Sequence, residues 1–269
     1  MAYIEISKTD GLCYEHDTLE SEAGVTFVMF NALSADYSMW RATVGDALAG
    51  AGHGLLLWNY RGQEGSPAAP DIALDAALIT GDSLRVLNEA QPARPVFVGL
   101  SIGGLFAMRA LLEGASASGL VLVNTLRRPG PRLAWVNDAV VRCAQVGGLD
   151  LMRDLYAPMI FNEEWLGQNR AEALLDTHYS PLADDFGPLR MLRDCRSADW
   201  NVPYERIEPP VLVVSGLQDQ MFLDLADVQK FVARIPRCER VDVPDAGHMV
   251  PLERPAAFAD ALLKFADKL

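Results

Sequence analysis

Short apolar runs alternate with segments of helical period along most of the chain. Runs such as VFVGL at 96–100 and VLVVS at 211–215 are apolar at every position, which is typical of strands covered on both faces. Repeated strand–helix alternation predicts an α/β fold with a mostly parallel, eight-stranded sheet and helices on both of its faces. The predicted strands are 3–6, 12–16, 25–30, 54–59, 95–100, 120–124, 211–215 and 240–243, and the predicted helices are 38–50, 71–89, 102–113, 223–235 and 255–268.

Two parts of the chain depart from this alternation, the first two strands and the region from 127 to 200. The first two strands are joined too closely for a crossover helix, so we expect an antiparallel hairpin at one edge of the sheet. From 127 to 200 the sequence is helical or irregular, contains five prolines and has no convincing strand. Alternation resumes only at 211. We therefore predict one core, formed by residues 1–126 and 201–269, and a helical cap insertion at residues 127–200.

The strongest local motif is Gly99-Leu-Ser101-Ile-Gly103-Gly104, which follows an apolar strand and opens a helical segment. A serine at a sharp strand–helix turn has a strained backbone, and a Cβ at the flanking glycines would collide with neighbouring elements. Such a turn exposes the Oγ of Ser101 and places the backbone N–H of Ile102 at a helix N-terminus, where it can stabilise an oxyanion. The alternative is a glycine-rich turn that only ends a strand.

A serine nucleophile needs a base and a group that orients the base. His248 lies in a loop between the last predicted strand and the last helix, and Asp219 follows the strand VLVVS. The chain order Ser101, Asp219, His248 is the order expected of this strand–turn–helix arrangement. Asp219 could instead be a loop carboxylate or a helix cap. Two competing carboxylates are weaker, because Asp245 is predicted to be a turn residue and Asp224 to lie inside the following helix.

Composition and charge narrow the classes of partner. Half of the residues are hydrophobic, and 23 Lys and Arg against 36 Asp and Glu give a net charge of −13. Such a surface repels nucleic acid and anionic lipid, so neither is an expected partner. No basic and apolar leader opens the sequence, and no apolar run approaches the roughly 20 residues that cross a bilayer. We therefore expect a cytoplasmic protein.

Cysteine and histidine spacing gives no sign of a metal or redox site. The cysteines form no CxxC pair and the histidines no HxxxH pair, so we expect reduced, mostly buried thiols and no metal or other cofactor. His178, in the predicted cap, could line a pocket. The four cysteines are Cys13, Cys143, Cys195 and Cys238.

The serine motif, the acid and histidine loops and the strand order together resemble the α/β-hydrolase superfamily over essentially the whole chain. The segments 30–40, NYRGQEGSP at 59–67 and LVNT at 122–125 are similar to 3-oxoadipate enol-lactonases and related small serine esterases. Some relatives place the acid after the sixth strand, where this chain has Asn124-Thr125 and no carboxylate.

The resemblance also implies a second oxyanion donor. Most members carry His-Gly after the third strand, whereas this chain has Asn31-Ala32, which is similar to the enol-lactonase group. By that similarity the donor is the backbone N–H of Leu33. Arg61 and Ser66 are expected to be structural residues of the loop that supports this segment.

Several cap residues are weaker candidates. The arginines 127, 128 and 132 are predicted to form a solvated face, although one arginine directed inward could bind a substrate carboxylate. Four large apolar residues are predicted to be cap core in preference to stacking on a substrate. They are Trp135, Tyr156, Trp165 and Met191.

These observations together predict a cofactor-independent serine hydrolase that acts on a small carboxylic ester or lactone. Carbon–carbon bond hydrolysis, acyl transfer and perhydrolysis on the same three residues stay open. A ligand receptor that retains a hydrolase fold is an alternative of a different class. A homo-oligomer is also compatible with the sequence.

Overall fold

A computed structural model describes residues 1–19, 23–173 and 178–269. Eight strands form one sheet in the order β1-β2-β4-β3-β5-β6-β7-β8. The β1–β2 and β2–β4 pairs are antiparallel and the other pairs are parallel, which confirms the predicted sheet and its edge hairpin. The strands are β1 Ala2–Glu5, β2 Gly11–Asp17, β3 Thr26–Phe30, β4 Gly54–Trp58, β5 Pro95–Leu100, β6 Gly119–Val123, β7 Val211–Gly216 and β8 Cys238–Val243.

The helices begin and end close to the predicted positions, with two corrections. The predicted helix 71–89 begins only at Ala76, because the Asp75 side chain caps it by accepting the N–H of Leu78. Asp224 was predicted to lie inside a helix, but the structure places it at the N-cap of α8. The helices are α1 Ser38–Trp40, α2 Asp46–Gly50, α3 Ala76–Ala90, α4 Ile102–Leu112, α5 Pro131–Ile160, α6 Glu163–Ala173, α7 Gly187–Cys195, α8 Leu225–Val232, α9 Val250–Glu253 and α10 Pro255–Ala266, with a π-helix at Arg41–Gly45 and a 3-10 helix at Tyr204–Arg206.

The core lies in two layers, one on each face of the sheet. Alternate residues of β3 face opposite ways, so that Val28 belongs to one layer and Phe27 to the other. Helices α3, α4 and α8 pack on the first face, and α1, α2 and α10 pack on the second. This arrangement explains why the central strands are apolar at consecutive positions.

Residues 127–200, which we call the inserted segment, lie between β6 and β7. Their described part contains three α-helices and no strand. Helix α5 bends at Gly148, where φ is 73° and a Cβ would stand 2.5 Å from the carbonyl oxygen of Ser180. Residues 174–177, which belong to the predicted cap, lie outside the described residues. No helix in the described residues is both long and apolar enough to span a bilayer.

The predicted core of the inserted segment is only partly correct. Met191 is fully buried, and Trp165 stacks on Phe161 with a centroid separation of 3.7 Å. Trp135 is 79% exposed, which overturns its prediction as a core residue. It lies in the first turns of α5.

The four cysteines are free thiols, but the prediction that most are buried holds for only two of them. Cys13 and Cys195 are buried, whereas Cys143 and Cys238 are half-buried. Burial raises the pKa of the Cys238 thiol to about 11, with the charge of Glu239 adding to the effect.

The loop after β4 is held by a buried ion pair. The Nε and Nη2 atoms of Arg61 donate to the two carboxylate oxygens of Asp82 at 2.7 and 2.8 Å, and its Nη1 donates to Asp10. The Ser66 hydroxyl donates to the carbonyl of Asn59 and accepts the N–H of Cys13. These contacts are internal to the core, as the structural roles predicted for Arg61 and Ser66 require.

We expect Arg61→Ala to lower the free energy of unfolding by about 3–5 kcal/mol, because it leaves the buried carboxylate of Asp82 without its partner. Urea unfolding followed by circular dichroism measures the change. Arg85→Ala is the matched control: its Nε is 3.9 Å from the same carboxylate, but its side chain is 60% exposed. The control should change stability by less than about 0.5 kcal/mol, and equal losses in the two variants would contradict the argument.

Candidate active site

Ser101 occupies the turn between β5 and α4. Its φ of 60° and ψ of −125° are strained for a residue with a side chain. A Cβ on Gly99 would stand 2.3 Å from the Cα of Gly104, and one on Gly103 would stand 2.3 Å from the carbonyl oxygen of Phe30. These contacts confirm that the flanking positions require glycine, and the close packing holds the serine in its strained conformation.

Asp219 and His248 are brought together from loops that follow β7 and β8. The Nδ1 of His248 lies 2.6 Å from the Oδ2 of Asp219, and both residues are 4% exposed. The other carboxylate oxygen of Asp219 accepts the backbone N–H groups of Met221 and Phe222 at 3.0 and 2.9 Å. The carboxylate is therefore fixed in one orientation, with Oδ2 directed at the imidazole.

The electrostatics of the site keep Asp219 ionised. Burial favours the neutral carboxyl, but the charge and hydrogen bond of His248 and the N–H of Phe222 outweigh it and lower the pKa of Asp219 below its ordinary value. The charge of Arg127 acts in the same direction. A carboxylate in this state can hold a proton on Nδ1 and leave the Nε2 atom of His248 available as an acceptor.

The Ser101 hydroxyl lies in the same cavity as His248 but has a different partner. Its Oγ accepts a hydrogen bond from the Nη2 of Arg127 at 2.6 Å. Across residues 1–19, 23–173 and 178–269, no hydrogen bond connects Ser101 to His248. The structure thus joins the predicted acid and histidine directly, and places the predicted nucleophile beside them.

Arg127 is buried at the cavity, which overturns the predicted solvated face for this residue and matches the alternative of one arginine directed inward. It was expected in a solvated cluster, yet only 7% of it is exposed, and its guanidinium lies 3.9 Å from the ring centroid of Phe222 and 5.0 Å from that of Trp200. Burial lowers its pKa to about 10, against the opposing effect of Asp219. The prediction holds for Arg128, whose side chain is 68% exposed. Arg127 lies four residues after the end of β6, at the sheet edge where the other site residues meet. That position is the signal that could have identified it.

The backbone N–H groups of Leu33 and Ile102 belong to two residues that line the cavity. Neither group has a hydrogen-bond acceptor within the described parts of the chain. Gln63 supports the Leu33 loop, because its Nε2 donates to the carbonyl of Ala32 and its Oε1 accepts from the Nδ2 of Asn31. This role of Gln63 was not predicted, although the residue lies in the NYRGQEGSP segment.

Asn124 occupies the position where some relatives of the predicted superfamily carry their acid. Its Nδ2 donates to the carbonyls of Gly247 and His248 at 3.0 and 2.8 Å. Its Oδ1 accepts the N–H of Gly216 at 2.9 Å. The side chain therefore connects the end of β7 to the histidine loop and has no role as an acid.

The buried carboxylate of Glu253 supports the loop that contains His248. The oxygens of Glu253 accept the N–H groups of Gly247, Met249 and Asn162 at 2.8, 2.9 and 2.7 Å. Burial raises the pKa of Glu253 above its ordinary value, although these three hydrogen bonds oppose the change. Because Asn162 follows α5, the same carboxylate attaches the inserted segment to the loop.

The C-terminal end of α5 also contacts both loops through its backbone. The carbonyl of Met159 accepts the N–H of Gln220, next to Asp219, and the carbonyl of Ile160 accepts the N–H of His248. These are carbonyls at a helix end, which lack partners inside the helix. The acid loop, the histidine loop and the end of α5 thus form one hydrogen-bonded unit.

A cavity of about 380 Å³ lies above Ser101 and His248. Its wall is mostly apolar and comes largely from α5, including Val140, Leu149, Met152 and Tyr156. Tyr156 therefore faces the cavity instead of a cap core. His178 is exposed and does not line the cavity. No three His, Cys, Asp or Glu side chains among the described residues are close enough to hold a metal ion.

Comparisons with known proteins find relatives that cover most of the chain. The chain is 24% identical over 245 residues to "Putative carbamate hydrolase RutD" of Variovorax paradoxus (strain S110), covering 90% of this chain and 91% of that protein. It is 22% identical to 3-oxoadipate enol-lactonase 1 of Acinetobacter baylyi (strain ATCC 33305 / BD413 / ADP1), covering 92% of this chain and 91% of that protein. The crystal structure of the enol-lactonase from Burkholderia xenovorans LB400 superposes with a TM-score of 0.79 and 25% identity, over 98% of this chain and 99% of that one.

A family model gives the broader assignment. The model described as the alpha/beta hydrolase family matches residues 27–261, which include the serine turn and both loops. The predicted α/β-hydrolase fold and superfamily are thereby confirmed. This chain belongs to the alpha/beta hydrolase family.

Proposed function

We propose that this hydrolase is a cofactor-independent serine hydrolase that cleaves a small carboxylic ester or lactone. The observation that carries the proposal is the buried Asp219–His248 pair, 2.6 Å apart, whose histidine lines the same cavity as the strained Ser101. Few other arrangements require an ionised carboxylate, an oriented imidazole and a serine hydroxyl facing a cavity at one sheet edge. Residues 127–200 act in this proposal as a cap that shapes the substrate cavity.

The reaction begins with proton transfer from the serine. Asp219 keeps the proton of His248 on Nδ1, so that Nε2 accepts the Ser101 proton as Oγ attacks the substrate carbonyl. A rotation about the Cα–Cβ bond of Ser101 brings its hydroxyl from the direction of Arg127 toward His248. The imidazolium that forms is stabilised by the adjacent carboxylate.

The second half of the reaction regenerates the enzyme. The tetrahedral oxyanion accepts hydrogen bonds from the N–H groups of Leu33 and Ile102, the latter at the N-terminus of α4. His248 returns its proton to the leaving alcohol or enol, and an acyl group stays on Ser101. Water activated by His248 then releases the acid product.

The size of the substrate follows from the cavity. A volume of about 380 Å³ is at the lower end of the usual range for small-molecule sites and its wall is mostly apolar. An enol-lactonase and a protein named as a carbamate hydrolase are among the relatives. Both names refer to attack on an acyl carbon, which supports acyl hydrolysis but leaves the leaving group open.

Substrate preference can be measured with p-nitrophenyl esters of graded acyl length beside panels of lactones and carbamates. Turnover of short esters or lactones by the purified protein is the expected result. A protein that reacts at Ser101 with a fluorophosphonate but hydrolyses none of the panel would favour acyl transfer, perhydrolysis or carbon–carbon bond hydrolysis. No reaction at Ser101 in the folded protein would favour a ligand receptor.

We expect Ser101→Ala to lower kcat for the best ester by about 10⁶-fold, the scale of loss when a serine triad loses its nucleophile. The same variant should lose fluorophosphonate labelling, which intact-mass spectrometry measures. Ser197→Ala, at an exposed serine, is the control and should keep both activity and labelling. If Ser101→Ala kept more than a tenth of wild-type activity, Ser101 would not be the nucleophile.

We expect Asp219→Asn to lower kcat by about 10⁴-fold with a small effect on KM, because an amide cannot hold the required tautomer of His248. Steady-state kinetics at neutral pH measures the change. Asp245→Asn is the matched control in the histidine loop, since that carboxylate is exposed and binds the Nε of Arg254 at 2.6 Å. Similar losses in both variants would show that loop structure, and not the acid, is being measured.

A further inference from the structure

Three arginines are buried among the described residues, and the charges of two of them are compensated by carboxylates or by several backbone carbonyls. Arg61 is paired with the carboxylates of Asp10 and Asp82, and Arg190 donates to three backbone carbonyls. Such compensation is required, because a buried charge without partners costs several kcal/mol. Arg127 is the exception among the three.

The contacts of Arg127 leave its charge without a counter-ion. Its Nη2 donates to the neutral hydroxyl of Ser101, and its face packs on the rings of Phe222 and Trp200. Its Nε is buried with no hydrogen-bond partner, and no carboxylate of the described residues forms an ion pair with it. Asp219 is the acidic group that its charge affects, but both oxygens of that carboxylate are already occupied.

The other charged residues of the cavity are in a different situation. Arg153 pairs with Asp150 at 3.1 Å and with Asp154 at 3.0 Å. Arg196 has a side chain that is 48% exposed and lies 3.7 Å from Asp138. These two arginines are compensated by acidic neighbours or by solvent, whereas the described residues give Arg127 neither an ion pair nor exposure.

We propose that Arg127 is an anion subsite, and that the natural substrate carries a carboxylate close to the carbonyl that Ser101 attacks. This inference rests on the proposed function, since it names the substrate class of the same cavity. The substrate carboxylate supplies the counter-charge that the protein does not. It accepts from those terminal N–H groups of the guanidinium that are not bonded to Ser101.

The position of Arg127 limits the distance between the two groups of the substrate. One guanidinium nitrogen is only 2.6 Å from the nucleophilic oxygen, so an anion on the same guanidinium lies near the reacting carbon. Given a reacting distance of roughly 3 Å, the carboxylate is separated from the carbonyl by about one or two carbons. Half-esters and half-amides of malonic and succinic acid have this spacing, whereas longer diacids do not.

The test compares succinamate with succinamide, a neutral diamide of nearly the same size, and NMR spectra recorded before and after each titration show whether either ligand is hydrolysed. Ligand-observed NMR titration of the wild-type protein should show succinamate binding at least tenfold more tightly, the effect expected of a charge-assisted hydrogen bond. Arg127→Gln should remove the difference and Arg127→Lys should keep part of it. Arg128→Gln, which changes the exposed neighbour, should leave the difference intact.

The outcomes separate this inference from the proposed function. Equal affinities in the wild-type protein, undetectable succinamate binding, or a preference that persists in Arg127→Gln would each overturn the anion subsite. The wild-type comparison needs no variant to fold, and neither ligand requires turnover. Fluorophosphonate labelling of Ser101 in the same preparation reports the nucleophile independently, so labelling without charge preference rejects the subsite alone.

Discussion

Close backbone packing around the serine turn is the constraint on which the rest of the site depends. Strand β5, helix α4 and the end of β3 approach so closely that no side chain fits at Gly99 or Gly103. This contact fixes the direction of Ser101 relative to the sheet before any hydrogen bond is considered. The loops after β3, β6, β7 and β8 then reach the same point because parallel strands end at one edge.

Charge is the second organising influence at this edge. An imidazole and a guanidinium line a mostly apolar cavity, and a buried aspartate lies against the imidazole, so that each interaction is less screened than at the surface. The aspartate is satisfied on both oxygens, whereas the guanidinium is not. The site is therefore complete with respect to the Asp219–His248 pair and incomplete with respect to Arg127, and a bound anion would remove that imbalance.

The sequence predicted the sheet, its edge hairpin and the positions of Ser101, Asp219 and His248 in the turns after β5, β7 and β8. These features depend on local pattern and on strand order. The prediction failed where burial is decided by distant contacts. Trp135 was expected inside and is exposed, while Arg127 was expected outside and is buried. The support that Gln63, Asn124 and Glu253 give to the site depends on backbone groups far away in sequence, which no spacing rule identifies.

The attachment of α5 to both loops has a consequence for heat inactivation. The wall of the cavity and the residues assigned to proton transfer share hydrogen bonds through Met159, Ile160 and Glu253. Loosening of that helix end would disturb the imidazole while the two core layers are still intact. Function would then be lost at a lower temperature than the cooperative melting of the sheet.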